Sequence, residues 1–120
     1  MIATRTKYGY DLGMTRGDTE SLVVTMMVKD SNGRNTPFDA DSATLTVRTT
    51  REGEVLFSVT ADSVSNGVAY FLIPHNLTAQ LAAGKYTYDI EAVSGTTVKT
   101  PVGGLSKPCY FSIWQDVTYD

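Results

Sequence analysis

Gly84-Lys85-Tyr86-Thr87-Tyr88-Asp89-Ile90-Glu91 decides the reading of this chain. Two aromatics and an isoleucine fall at every second position, the repeat of a strand whose alternate side chains enter a core. The stretch just before it, Leu77 to Ala83, reads as one or two helical turns, with Asn76 placed to cap them and Gly84 placed to stop them. Gly84 is therefore expected at positive φ. Tyr86 and Tyr88 share one strand face, and one of them should anchor the interior. Tyr88 has a second option, a hydrogen bond across a corner of the fold.

Outward from this segment the pattern stays β. Leu22-Val23-Val24-Thr25-Met26-Met27-Val28 is apolar on both parities, which predicts a central strand or one with a covered outer face. Ala43, Leu45 and Val47 alternate with Thr44, Thr46 and Arg48, as in a half-exposed antiparallel strand. Val55 to Thr60, Val68 to Ile73, Thr97 to Thr100 and Tyr110 to Trp114 complete the set. Arg16-Gly17-Asp18-Thr19, Asp30-Ser31-Asn32-Gly33, Arg51-Glu52-Gly53-Glu54, Ser65-Asn66-Gly67 and Ser94-Gly95-Thr96 are turns. About seven strands at short, regular spacing predict an all-β antiparallel sandwich with one short helical crossover. The expected organisation is an N-terminal arm or first strand over 1–15 and one domain over 16–120.

The bulk numbers narrow the function classes. A chain of 120 residues with 42% hydrophobic content fits one domain with one core. A formal charge of −3 speaks against a broad grip on nucleic acid or an anionic membrane. No run approaches the length of a membrane helix and no signal peptide is recognisable, so synthesis in a cytoplasm is expected. The single cysteine, Cys109, excludes an intramolecular disulfide and reads as a small buried hydrophobe.

Candidate chemistry is thin. The single histidine, His75, has no sequence link to Cys109 or to a serine–carboxylate pair, so no catalytic residue is named and an enzyme is not expected. Arg16-Gly17-Asp18 is read as a turn rather than an adhesion motif, and Asn76-Leu77-Thr78 as a cap rather than a glycosylation site. Asp30-Ser31-Asn32-Gly33 opens like a calcium loop, but its twelfth position is Asp41 rather than Glu. Calcium at Asp39 and Asp41 is the weaker alternative to solvated turn acids. No metal or cofactor is expected. Tyr8, Tyr10, Tyr110, Trp114 and Tyr119 gather near the two ends of the chain and are the candidate subunit contacts, with sugar binding as the other use of such a patch.

Three landmarks together resemble the immunoglobulin-like domains of tailed-phage virion proteins, in particular the N-terminal domain of upper baseplate proteins and related tail and head-fibre domains. The first is Gly17-Asp18-Thr19 before an apolar strand and an Asp-x-x-Gly turn. The second, and most specific, is Thr78-Ala79-Gln80-Leu81-Ala82-Ala83-Gly84-Lys85-Tyr86-Thr87-Tyr88-Asp89-Ile90. The third is Phe111-Ser112-Ile113 with Asp116-Val117-Thr118. Pro37-Phe38-Asp39 leading to Val47-Arg48 also fits, although Ala40-Asp41-Ser42 stands where the family has Leu-Thr-Gly. The resemblance covers roughly residues 16 to 118. It implies an immunoglobulin-like sandwich in which Gly17, Asp18, Gly84, Tyr86, Tyr88 and Asp89 are structural. It also implies a non-enzymatic assembly or decoration module located in the virion, at the baseplate, tail, head–tail junction or capsid surface. Its partners would be other virion proteins or further copies of itself. The alternative is an adhesin-like module that binds carbohydrate or a host surface.

Overall fold

The computed structural model describes residues 1–104 and 107–115. Tyr119 and the Asp116-Val117-Thr118 landmark lie outside the described residues. The described residues are all-β apart from one five-residue helix. In order, its strands are β1 (Ile2–Thr6), β2 (Gly9–Thr15), β3 (Glu20–Thr25), β4 (Met27–Lys29), β5 (Asn35–Pro37), β6 (Ser42–Arg48), β7 (Val55–Thr60), β8 (Ser63–Ser65) and β9 (Val68–Ile73). Helix α1 (His75–Ala79), β10 (Gly84–Ser94), β11 (Thr97–Gly103) and β12 (Cys109–Trp114) follow. A seven-stranded sheet runs β1-β2-β12-β10-β6-β7 with β11 also on β10, a three-stranded sheet runs β3-β9-β8, and β4 pairs with β5. The large sheet is antiparallel except where β12 lies parallel to β2, Phe111 opposite Leu12 and Ile113 opposite Met14.

The two larger sheets share one core. Leu12, Met14, Leu45, Val47, Ile90, Phe111 and Ile113 enter it from the large sheet, and Leu22, Val24, Ala69, Phe71 and Ile73 from the small one. Phe111 sits among aromatics, edge-on to Phe57 at 6.0 Å and to Tyr88 at 6.3 Å between ring centroids. Burying each such side chain contributes about 2 to 3 kcal/mol.

β10 is the organising strand. One edge pairs with β6 over Thr87 to Val93. The other edge is divided: Gly84 to Tyr88 pair with β12, and Asp89 to Ser94 with β11. Gly103 makes this handover possible. Its φ is +75°, and a Cβ there would meet the Tyr88 carbonyl oxygen at 2.4 Å and the Asp89 Cα at 2.9 Å. Only glycine lets β11 end so close to β10 and leave the edge to β12.

Four expectations need correction. The strands number twelve among the described residues, not about seven. Residues 2–15 form a two-strand hairpin, short β5 and β8 pair with β4 and β9, and the Leu22–Val28 run splits at Met26. Met26 is fully buried at the corner, its N–H donating to the Gly67 carbonyl and its carbonyl accepting from Phe38 N–H, both at 2.8 Å. The β3 part is neither central nor covered. It is the last strand of its sheet, Leu22 and Val24 face the core, and Val23 is 59% exposed. Helix α1 begins after Pro74 without a side-chain cap, and Asn76 lies inside it. It also ends at Ala79, well before Gly84, which is extended, pairs with Ile113 and has only the Tyr86 ring near the place of a Cβ.

Candidate functional site

The residues singled out from the sequence fall into a structural junction, an aromatic margin and a charged groove. The junction joins segments far apart in the chain. Thr78, fully buried on α1, accepts a hydrogen bond at Oγ1 from the Gly17 N–H at 2.9 Å. Arg16 Nη1 donates to the Leu81 carbonyl at 3.5 Å, and the Arg16 N–H donates to the Trp114 carbonyl at 2.9 Å. Gly17 has φ +84° and Asp18 closes the turn by donating its N–H to the Thr15 carbonyl. The Gly-Asp-Thr turn, the helical crossover and the last strand are thereby tied at one end of the molecule. Asp18 is exposed, so the side chain of Arg16-Gly17-Asp18 that faces water belongs to a turn with internal structural work.

Tyr88 and Tyr86 part company. Tyr88 is buried and its hydroxyl donates to the Tyr10 carbonyl, binding β10 to β2 across the intervening β12. Burial pushes its phenol well above the ordinary range, with Cys109 and Asp11 adding smaller effects of the same sign. Tyr86 is half-buried against the core and donates its hydroxyl to the Ala82 carbonyl at 2.6 Å, which pins the loop between α1 and β10. Cys109 is buried, its Sγ 3.5 Å from the Tyr8 carbonyl, and desolvation raises its thiol. It is packed as a small hydrophobe in the core.

Four of the five candidate contact residues lie on the large sheet or its first hairpin, and they do not form one cluster. Tyr8 stands at the β1–β2 turn, with Lys7 Nζ 5.1 Å from its ring centre, and Tyr10 follows on β2. Tyr110 and Trp114 share the outward face of β12. Lys85 Nζ lies 4.1 Å from the Tyr110 ring centre, a cation–π contact. Trp114 is 43% exposed and its indole lies over Gly13, where a Cβ would stand 2.4 Å from two ring atoms. Sequence reasoning missed the Gly13–Trp114 and Lys85–Tyr110 pairs. A glycine within a strand was the available signal for the first, since it marks a close approach. The second depends on register, which the sequence does not print.

Asp89 opens onto an outward groove of about 720 Å³ lined also by Arg48, Arg51, Glu52, Glu91 and Lys107. Arg48 Nε is 3.9 Å from Asp89 Oδ2. Desolvation raises the Asp89 carboxyl, partly offset by Arg48 and reinforced by Glu91. Thr87, beside it on β10, is nine-tenths buried, and among the described residues its Oγ1 has no hydrogen-bond partner. Cations and carboxylates here nearly balance, so the groove presents paired charges without a strong field of one sign.

The calcium alternative places no ligand cage. Asp30 Oδ1 accepts from the N–H groups of Asn32 and Arg34, closing its own turn. Asp39 Oδ1 accepts from Gly67 N–H, and Asp41 Oδ2 from Gly95 N–H at 2.8 Å, so each clamps a distant turn. Among the described residues no three His, Cys, Asp or Glu side chains gather to hold a metal ion. No protein-family model matches the chain, and comparison with curated protein sequences gives no match.

Proposed function

We propose that this chain is a non-enzymatic structural protein of a tailed-phage virion. It would be an immunoglobulin-like assembly or decoration module that acts by protein–protein contact. One observation carries the reading. The motifs that bear the resemblance meet physically: the Gly17 turn on Thr78, Arg16 on Leu81 and on the end of β12, with Tyr88 at the centre of the sheet. These contacts make the motifs parts of one structural unit, which supports the resemblance. A protein of this kind offers neighbours its sheet edges and outward aromatics, with no chemistry at a reacting atom. Mass spectrometry of particles purified through a density gradient tests it. The protein should band with the particles, and its confinement to the soluble fraction of the lysate would count against the proposal.

Trp114 favours a second reading. An indole that sits over Gly13 and stays 43% exposed is suited to stacking on a sugar ring, with Ser112 and Asp11 on the same sheet face. A glycan panel titrated against tryptophan fluorescence separates the two readings. A saturable spectral change with one glycan class supports the adhesin-like module, and a flat response across the panel removes it.

A further inference from the structure

Among the described residues β3 pairs only with β9 and β1 only with β2, so both sheets end on the same side of the molecule, where the Met1 amino group reaches Glu20 at the start of β3. β3 has a charge only at its first residue, Glu20, and no proline or bulge, the devices that block a sheet edge in a monomer. Between the two edges lies a groove of about 210 Å³ lined by Ala3, Tyr10, Leu12, Leu22, Val24 and Tyr88 among others, all uncharged. The side chains of Ile2 to Arg5 are all exposed, and Ile2 and Val23 are each 59% exposed.

The two edges carry opposite charge. Met1 to Lys7 has Arg5 and Lys7 and no acid, whereas Gly17 to Thr25 has Asp18 and Glu20 and no base, Glu20 being paired within the chain to the Met1 amino group. An incoming β1 running antiparallel to β3, with its Ile2 beside Val23 and Val24, brings its Lys7 alongside Asp18 and its Arg5 to Glu20, where it joins the carboxylate that already holds the Met1 amino group of its own chain. Every copy offers both a basic β1 edge and an acidic β3 edge. Two copies related by a twofold axis therefore satisfy both at once, a closed and self-complementary arrangement. The geometry points to a homodimer in which the β1 edge of each copy adds to the β3 edge of the other over the uncharged groove. This interface stands on edge pairing, apolar cover and charge, and does not rest on the virion reading: the particle experiment and the experiment below can fail separately.

Light scattering on size-exclusion fractions of the full chain, over a concentration series, reads the dimer mass directly. Three variants probe it, all at exposed positions. Arg5→Glu with Lys7→Glu reverses the donor edge, Asp18→Lys with Thr19→Lys reverses the acceptor edge, and Val23→Lys places a charge beside the groove. Each should weaken the dimer by about tenfold or more while circular dichroism stays as in wild type and thermal melts match those of wild type at concentrations where it is monomeric. Mixing the two charge-reversed proteins should restore a dimer, because each now complements the other. Wild type that remains monomeric throughout, variants that dimerise like wild type, or a mixture that stays monomeric would each overturn the assignment. A wild-type monomer that instead captures an unrelated extended peptide at the β3 edge would overturn it too, by naming a different occupant.

Discussion

Replacing Tyr88 with Phe keeps the ring and removes one hydroxyl. That hydroxyl donates to the Tyr10 carbonyl from a buried position, so the variant loses the bond between β10 and β2. Losing such a bond costs about 1 to 2 kcal/mol. Near the size of this domain, that corresponds to a fall in Tm of roughly 3 to 8 °C. Replacing Tyr88 with Ala also removes the ring from its edge contact with Phe111 and opens a cavity between the sheets, at about 3 to 5 kcal/mol. Urea denaturation followed by fluorescence measures both, and an unchanged slope certifies that the unfolded state is not the source. The order wild type, Phe, Ala with these gaps is the expected result. A Phe variant within about 0.3 kcal/mol of wild type would refute the tie between β10 and β2, and an Ala variant costing under about 1 kcal/mol would refute the place of Tyr88 in the core.

The remaining predictions use the same measurements. Gly84→Val should be close to neutral, within about 0.5 kcal/mol, because Gly84 is extended and open at its Cβ. Gly103→Ala should cost roughly 2 to 4 kcal/mol, since a Cβ there meets the Tyr88 carbonyl at a position of positive φ. Thr78→Val keeps the shape of a buried side chain and leaves the Gly17 N–H without its acceptor, at about 1 to 2 kcal/mol in equilibrium unfolding. Asp89 has a carboxyl raised by desolvation, so its neutral form is the one the fold favours. Its contribution is fully present below the ordinary aspartate range, about pH 4, and is lost as pH rises through the higher folded value. Asp89→Asn should therefore raise Tm at pH 7 and lose that advantage in melts at pH 3. An advantage that grows with acid would contradict the sign.

Much of the fold was legible because burial of alternate residues leaves a period of two in the sequence. Leu45 and Val47, Phe71 and Ile73, and Tyr88 and Ile90 all enter the core as that period requires. The same rule misled at Leu22 to Val28, where apolar side chains on both parities hid a corner at Met26 and an exposed edge strand. Edge and centre differ in who lies beside a strand, and a strand does not encode its neighbours. The glycines carry a similar lesson. Gly84 stood where a helix was expected to stop, yet the glycine the backbone needs is Gly103, whose reason is the approach of a strand fourteen residues earlier in the chain. The aromatic candidates at the chain ends were found by composition, while their partners, Gly13 and Lys85, were not, because both contacts depend on the register between β2, β12 and β10.

A cryo-EM reconstruction of the phage particles purified from the lysate tests the central proposal most directly. The account predicts a density of about 55 × 26 × 24 Å, repeated with the symmetry of its location, that accepts this two-sheet fold with β10 at its centre. A complete map in which every ordered density belongs to other proteins would contradict it.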